Sequence, residues 1–196
     1  MSKREFFNRE AANWDGQYQR EQASQVRDLV KRFDLKEGKT VLDVGCGIGV
    51  LLPYLSQKVK KNGLVLALDF AWNMIHEAKK KREKPQIHFI NASLEALPLK
   101  DQTIDYITCF ATFAHIDDQR RAAYEMGRAL KKGGRLFIAH LLGKKELSEH
   151  HRLAGGEVEH DTLPDNDKIW EWLKDAGLKH IEIIDQPNLY LASAKK

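Results

Sequence analysis

Much of the structural information in this chain is concentrated in nine residues, Val41-Leu42-Asp43-Val44-Gly45-Cys46-Gly47-Ile48-Gly49. The β-branched apolar run from Thr40 to Val44 predicts a buried strand, and three glycines at alternating positions follow it. Glycine lets the backbone turn sharply and come close to a ligand. The apolar residues from Val50 onward predict a helix that tolerates Pro53 in its first turn. A strand, a glycine turn and a helix N-terminus together predict a nucleotide-binding site.

The glycine spacing separates this site from a dinucleotide-binding site. A dinucleotide fingerprint has the form Gly-x-Gly-x-x-Gly, but here the third glycine comes one residue early and Val50 fills the expected position. Asp43 lies two residues before the first glycine, where its charge would repel a pyrophosphate and favour a cationic or amino-bearing ligand. The pattern therefore argues against a nicotinamide oxidoreductase, which stays open as an alternative with the same architecture.

The nine residues resemble motif I of the class I S-adenosylmethionine-dependent methyltransferases, V-L-D-[VL]-G-C-G-x-G, and later segments resemble that family's other motifs in order. An apolar run from Leu64 ends in Asp69, which is placed to accept from both hydroxyls of a ribose. Asn91 to Leu99 resembles the segment that closes over adenine, with Ser93 where the family usually has Asp. The serine would contact the adenine amino group without a charge and with shorter reach. Lys131 to Leu136 resembles the L-K-P-G-G-R-L turn before the fifth strand.

The resemblance runs from about residue 39 to 140 and extends to methyltransferases that act on quinone precursors and other small molecules. It implies an enzyme that takes S-adenosylmethionine, leaves S-adenosylhomocysteine and methylates a small-molecule acceptor by in-line displacement. Two alternatives stay open: a protein or RNA methyltransferase, and a non-catalytic S-adenosylmethionine-binding protein. The residues expected to contact the cofactor are Asp43, Gly45, Cys46, Gly47, Gly49, Asp69, Phe70, Met74, Ser93, Leu94, Phe110, Trp14 and Tyr18.

The order of strands and helices predicts the fold class. Strands alternate with helices through residue 140, which indicates a parallel sheet covered on both faces. Two later strands, 178–184 and 188–194, are joined by a tight turn and must be antiparallel. With the seven strands that the resemblance implies, we expect an α/β fold with a doubly wound, mostly parallel sheet whose last strand is antiparallel. The expected organisation is a single domain, 1–196, with an N-terminal lid at 1–18 and an acceptor-side insertion at 141–163.

The N-terminal segment from Phe6 to Tyr18 is aromatic, yet it lacks the pattern of a core element. It resembles the entrance segment F-[DN]-x-x-A-x-x-[WY]-D of the family. We therefore expect a lid that places Trp14 and Tyr18 near the cofactor. The alternative is an arm whose aromatic side chains pack loosely against the domain.

Five of the eight histidines lie between residues 115 and 160, and His115, His140 and His151 are the candidate catalytic residues. His115 follows the fourth strand and His140 ends the fifth, at the strand ends where open α/β sheets bind ligands. Imidazole suits a general base near neutral pH. We expect His140, His151 and Asp161 to bind the acceptor, or alternatively to hold a metal as two histidines and a carboxylate. Because the spacing matches no standard metal signature, no metal is assigned, and solvated or structural histidines stay open.

The charge and the cysteine content limit which binding partners and which cellular location we expect. The 32 basic residues are balanced by 28 acidic residues, and no basic stripe is interleaved with aromatic residues, so no nucleic-acid partner is expected. Cys46 and Cys109 form neither a disulfide framework nor a zinc spacing, which favours the cytoplasm. No apolar run approaches eighteen residues, so no membrane partner is expected. We expect a monomer or a homodimer.

Overall fold

The structure is a computed structural model that describes residues 1–14, 20–82 and 84–196, and the chain divides into two units, 1–93 and 94–196. The single domain expected from the sequence stays a prediction. In the first unit the helices and strands are α1 (Lys3–Glu10), α2 (Arg20–Arg32), β1 (Thr40–Val44), α3 (Leu52–Val59), β2 (Leu64–Asp69), α4 (Trp72–Arg82) and β3 (Ile87–Asn91).

Buried apolar runs explain the strands of the first unit. β1 pairs in parallel with β2, with Thr40 opposite Leu64, and β2 pairs in parallel with β3. Val41 and Leu42 of β1 are fully buried. On α2 the buried positions Val26, Leu29 and Val30 have the spacing of one helix face, and the stripe continues to Phe33 just after the helix. The strand and helix patterns of this part of the sequence are confirmed.

The second unit carries the remaining elements and two short 3₁₀ turns that shape the site, at Leu94–Ala96 and Phe113–His115. A third 3₁₀ turn covers Gly156–Val158. The helices and strands of this unit are β4 (Ile104–Phe110), α5 (Gln119–Ala129), β5 (Leu130–His140), α6 (Lys144–Ala154), α7 (Asn166–Asp175), β6 (Lys179–Gln186) and β7 (Leu189–Lys195).

The sheet has seven strands in the order β3-β2-β1-β4-β5-β7-β6. In the second unit β4 pairs in parallel with β5, and β7 lies antiparallel between β5 and β6. The mostly parallel seven-stranded sheet with an antiparallel last strand is therefore confirmed. None of the helices in the described part of the chain is long and apolar enough to cross a membrane.

Helix α6 was not expected, because the sequence indicated only a polar, glycine-bearing insertion at 141–163. The helix begins after Gly143, whose backbone N–H donates to Glu146 Oε2 at 2.8 Å. The same carboxylate accepts from the backbone N–H of Asn188 at 2.8 Å. A Cβ at Gly143 would lie 2.6 Å from the carbonyl oxygen of Gln186, so a side chain does not fit there. Helix α6 is thus fixed at its start to the turn between β6 and β7.

Helix α5 fixes the segment that follows the 3₁₀ turn Leu94–Ala96. Glu125 is buried, and its carboxylate pairs with Arg128 at 2.6 Å and with Arg121 at 2.7 Å. Arg128 also donates to the carbonyl oxygens of Leu97 and Leu99, at 3.1 and 2.8 Å. A buried carboxylate is stable only when it is paired and hydrogen-bonded, and here the guanidinium groups provide both. The segment is therefore held to α5 by charge-assisted hydrogen bonds.

Candidate active site

The glycine turn after β1 leaves open space beside its backbone. Gly45, Gly47 and Gly49 have φ values of 64°, 51° and 84°, in the left-handed region that favours glycine. The N–H of Gly49 closes the turn on the carbonyl oxygen of Cys46 at 2.8 Å. A Cβ placed at Gly47 would meet no atom within 4 Å. A ligand can therefore approach the backbone at Gly47 closely.

Asp69 joins the two loops that follow β1 and β2. Its Oδ2 accepts from the backbone N–H of Gly47 at 2.8 Å, and its Oδ1 accepts from that of Ala71 at 2.8 Å. Burial raises the pKa of this carboxyl to about 6, although hydrogen bonds from Ala71, Gly47 and Phe70 oppose the rise. The sequence suggested a ribose contact for Asp69 but did not indicate this bridge. Each carboxylate oxygen has a further lone pair, so the bridge is compatible with ligand hydroxyls.

Asp43 and Cys46 lie at the inner side of the glycine turn. Asp43 belongs to β1 and is 2% exposed, and Cys46 is 5% exposed. Burial raises the pKa of the Cys46 thiol well above its usual value, and the nearby carboxylates of Asp69 and Asp43 raise it further. The thiol therefore stays protonated, which fits a small side chain that fills the turn rather than a nucleophile.

Helix α1 is fastened to the start of α4. The side-chain Oδ1 of Asn8 accepts from the backbone N–H of Asn73 at 2.8 Å, and the Asn73 side chain donates to the carbonyl oxygen of Asn8 at 2.9 Å. Asn8 thus caps one of the unsatisfied N–H groups in the first turn of α4. The Phe7 ring contacts Trp14 and Phe70, with centroids 5.6 and 5.9 Å apart. The sequence did not indicate the Asn8–Asn73 pair.

The other residues expected at the cofactor lie in both units. In the first unit Met74 is buried in α4, and Ser93 is half-buried after β3. In the second unit Leu94 and Phe110 are buried, at the 3₁₀ turn and at the end of β4. Tyr18 lies outside the described residues.

In the second unit two histidines hydrogen-bond to Asp161, and a third, His140, lies near them. His115 Nδ1 lies 2.6 Å from Asp161 Oδ2, and His151 Nδ1 lies 2.6 Å from the backbone oxygen of Asp161. The rings of His115 and His151 are 4.8 Å apart between centroids. His115 follows β4, His140 is the last residue of β5 and His151 lies on α6. We call these four residues the histidine cluster.

His140 is the most deeply buried member of the histidine cluster. It is 2% exposed, and its Nε2 has no hydrogen-bond partner among the described residues. Burial, together with the neighbouring His115 and His151, lowers the pKa of His140 to about 3. Burial is also the main cause that lowers the pKa of His151. The rings of His140 and Tyr190 are in a T-shaped arrangement, with 6.3 Å between centroids. The imidazoles of His140 and His151, whose pKa values are lowered, stay neutral at neutral pH.

The described residues contain no group of three or more His, Cys, Asp or Glu side chains placed to hold a metal ion. The carboxylate and carbonyl oxygens of Asp161 are hydrogen-bonded to His115 and His151. The metal alternative for His140, His151 and Asp161 therefore has no support from the geometry.

The residues of the first unit fit S-adenosylmethionine. The open side of Gly47 accommodates a ligand against the backbone, the buried carboxylate of Asp69 suits ribose hydroxyls, and the buried Asp43 suits a positively charged or amino-bearing group. A parallel sheet with a glycine turn after its first strand and an acid after its second defines a class of nucleotide-binding enzymes rather than one protein.

Comparisons with known proteins name that class. The family model described as "Methyltransferase domain" matches residues 42–138. The demethylmenaquinone methyltransferase of Shouchella clausii is 26% identical over 182 residues, covering 80% of this chain and 77% of the relative. That of Staphylococcus haemolyticus is 28% identical over 183 residues, covering 80% and 75%.

Solved structures agree with the family match. A SAM-dependent methyltransferase from Aquifex aeolicus superposes with a TM-score of 0.70 at 29% identity, covering 86% of this chain and 88% of that chain. A complex between the Haloferax volcanii Trm112 methyltransferase activator and the putative methyltransferase gives 0.82 at 22% identity, covering 99% and 97%. The chain belongs to the class I S-adenosylmethionine-dependent methyltransferases, and it is similar to the quinone-biosynthesis members. It is an enzyme, and its cofactor is S-adenosylmethionine.

Proposed function

We propose that this enzyme methylates a small-molecule acceptor that binds at the histidine cluster. The observation that carries the proposal is that His115, just after β4, and His151 on α6 both hydrogen-bond to Asp161, while His140 ends the neighbouring strand β5. Ligands of open α/β sheets bind at such strand ends. The demethylmenaquinone methyltransferases to which the chain is similar support a small, ring-bearing acceptor.

The cofactor, when bound, supplies a methyl group on a positively charged sulfur that departs with the electron pair of the carbon–sulfur bond. The protein's part is to orient the acceptor, exclude water and take up a proton. His115 is the most accessible imidazole of the histidine cluster, since its side chain is 14% exposed. His140 and His151 are neutral and buried, which suits hydrogen bonds to a bound acceptor.

Burial favours a small acceptor over a macromolecule. His140, His151 and Asp161 are all buried. A protein or RNA acceptor would need a group on an extended surface to reach these atoms. We propose that the enzyme works in the cytoplasm, as a monomer or homodimer and without a nucleic-acid partner.

The test is the formation of S-adenosylhomocysteine with a panel of acceptors. The panel contains reduced naphthoquinones and other small hydroxyl and amine compounds, together with bulk RNA and a mixture of unmodified proteins. We expect acceptor-dependent product with at least one small molecule and only background with RNA and protein. Product formed with RNA or protein alone would support the macromolecular alternatives, and none with any acceptor would support a non-catalytic binding protein.

The N-terminal lid gives a further expected result. Deleting residues 1–18 should leave a folded protein that binds S-adenosylhomocysteine more weakly and no longer transfers a methyl group, because α1 packs through Phe7 on Phe70, next to Asp69, and through Asn8 on the start of α4. Circular dichroism measures folding, and calorimetry measures binding. An unfolded product would show that the segment is structural, and full activity would show that it is dispensable.

The substitution Asn8→Ala is a milder version of the lid test. It removes the cap on α4 but keeps Phe7, so we expect a partial loss of affinity. Asn13→Ala is the matched control, because Asn13 is exposed and takes no part in the Asn8–Asn73 pair. Equal binding by the two variants would contradict a role for the Asn8–Asn73 pair.

A further inference from the structure

Two hydrogen bonds to Asp161 determine which nitrogen of two imidazole rings carries a proton. His151 Nδ1 lies 2.6 Å from the backbone oxygen of Asp161, and a carbonyl oxygen only accepts hydrogen bonds. His115 Nδ1 lies 2.6 Å from Asp161 Oδ2, and an ionised carboxylate also only accepts. Both Nδ1 atoms therefore donate, and in each neutral ring the basic lone pair lies on Nε2.

We propose that Asp161 is a positioning residue that sets both ring tautomers, and that the acceptor binds through a hydroxyl group whose proton passes to His115 Nε2. This inference rests on the proposed function, because it assigns the chemistry of the acceptor at the same site. It also changes the role that the sequence gave to Asp161, from a direct contact with the acceptor to an orientation of the base.

The surrounding contacts hold this arrangement in place. The side-chain Nε2 of Gln119 donates to the carbonyl oxygens of Phe113 and Thr162, both at 3.1 Å. One amide thus joins the 3₁₀ turn that carries His115 to the segment that carries Asp161. The N–H of Asp161 donates to the carbonyl oxygen of Val158 at 3.0 Å. His115 and Asp161, 46 positions apart in sequence, are therefore held together by more than their own hydrogen bond.

Charge selects His115 as the base within the histidine cluster. When the acceptor O–H bond breaks, its electron pair stays on oxygen and the proton forms an N–H bond at Nε2. The imidazolium of His115 then faces the Asp161 carboxylate, and the charge of this pair changes from −1 to 0. His151 donates to the backbone carbonyl of Asp161, which is neutral and cannot offset the charge of an imidazolium. His140 is 2% exposed and has other imidazoles as neighbours, so it is also less suited to carry a positive charge.

A hydroxyl suits this site better than an amine or a carbonyl. A neutral hydroxyl is a weak nucleophile until its proton is removed, so it gains from a base held by a carboxylate. A neutral amine already has its own nucleophilic lone pair. A carbonyl acceptor has no proton to donate to the two Nε2 lone pairs of His115 and His151.

The first test reads the ring tautomers by nitrogen-15 NMR on the full chain without S-adenosylmethionine. We expect the Nδ1–H tautomer for both His115 and His151 in the parent protein. Asp161→Asn keeps an oxygen acceptor and should keep both tautomers, whereas Asp161→Ala should lose the fixed tautomer of His115 alone. His151 is the internal control, since its acceptor is a backbone oxygen. An Nε2–H tautomer of His115 in the parent, or no response to Asp161→Ala, would overturn the assignment.

The second test uses two probes with the same ring, hydroquinone and 1,4-dimethoxybenzene, of which only hydroquinone carries hydroxyl groups. Hydroquinone should shift the His115 Nε2 resonance, and 1,4-dimethoxybenzene should leave it unchanged. Equal shifts with the two probes, or no shift with either, would reject a hydroxyl acceptor at His115. Because both tests omit the cofactor, they separate from the proposed function: the expected NMR results without transfer to any small molecule would reject only that function.

Discussion

The substitution Asp69→Ala is expected to weaken binding of S-adenosylhomocysteine at least tenfold, a loss on the order of 1.5–3 kcal/mol for a charge-assisted hydrogen bond to the ligand. Two effects add to each other. The substitution removes the acceptor for ribose hydroxyls, and it also removes the bridge between the N–H groups of Gly47 and Ala71. Calorimetry with S-adenosylhomocysteine measures the loss. We also expect that the parent protein does not bind NAD with an affinity comparable to that for S-adenosylhomocysteine.

Glu77→Gln is the matched control for Asp69→Ala. Glu77 also lies in the first unit, but its carboxylate pairs with Lys80 on the surface of α4 at 2.7 Å. We expect parent-like affinity for this variant. Parent-like affinity in Asp69→Ala would show that Asp69 does not bind the cofactor.

Because the pKa of Asp69 is raised to about 6, the affinity of the parent protein for S-adenosylhomocysteine should also fall as the pH drops below 6 and the carboxylate takes up a proton.

The buried His140 is expected to make the protein sensitive to acid. Its pKa is about 3 in the folded protein and about 6.5 when unfolded, so between these values the unfolded state binds more protons. The contribution of His140 to the free energy of unfolding is therefore fully present above pH 6.5. It is lost as the pH falls below that value, by about 1.4 kcal/mol per pH unit. Between pH 7.5 and pH 4.5 the loss is roughly 3 kcal/mol.

Urea unfolding of His140→Gln at pH 7.5 and pH 4.5 measures this contribution. The raised pKa of Asp69 acts in the opposite direction, since a buried carboxyl that gains a proton stabilises the fold as the pH falls from 6. The readout is therefore the difference between variant and parent, which should change by about 2–3 kcal/mol between the two pH values. His76→Gln, at an exposed histidine of α4, should leave that difference unchanged. Equal acid sensitivity of His140→Gln and the parent would contradict a neutral, buried His140.

The strands were predictable because their signal is local. β1 begins at Thr40 and ends at Val44, as its run of β-branched and apolar residues indicates. Helix α6 was missed because only Leu147 and His151 are buried on it, and a histidine in a buried stripe carries no hydrophobic period. Strand β5 is longer than the sequence indicated, since pairing resumes across the Gly133 turn as far back as Leu130.

The cofactor side of the site was more predictable than the acceptor side. Asp69 and the glycine turn form a compact sequence motif whose function follows from its place after two strands. The contact between His115 and Asp161 is supported by the two hydrogen bonds of Gln119 to Phe113 and Thr162, and the segment of Asp161 follows helix α6. Neither the Gln119 hydrogen bonds nor helix α6 has a sequence signature. Tyr190 lies in an apolar strand, where the sequence gives no reason to expect a polar group beside His140.

The most direct measurement of the proposed function follows a labelled methyl group. The parent protein and Asp69→Ala are incubated with methyl-labelled S-adenosylmethionine and a cell extract, which is then separated into small molecules, protein and RNA. We predict that the parent places the label in the small-molecule fraction, with an equal amount of S-adenosylhomocysteine, and that Asp69→Ala places far less. Label in protein or RNA, or none above the level of Asp69→Ala, would contradict methyl transfer to a small molecule.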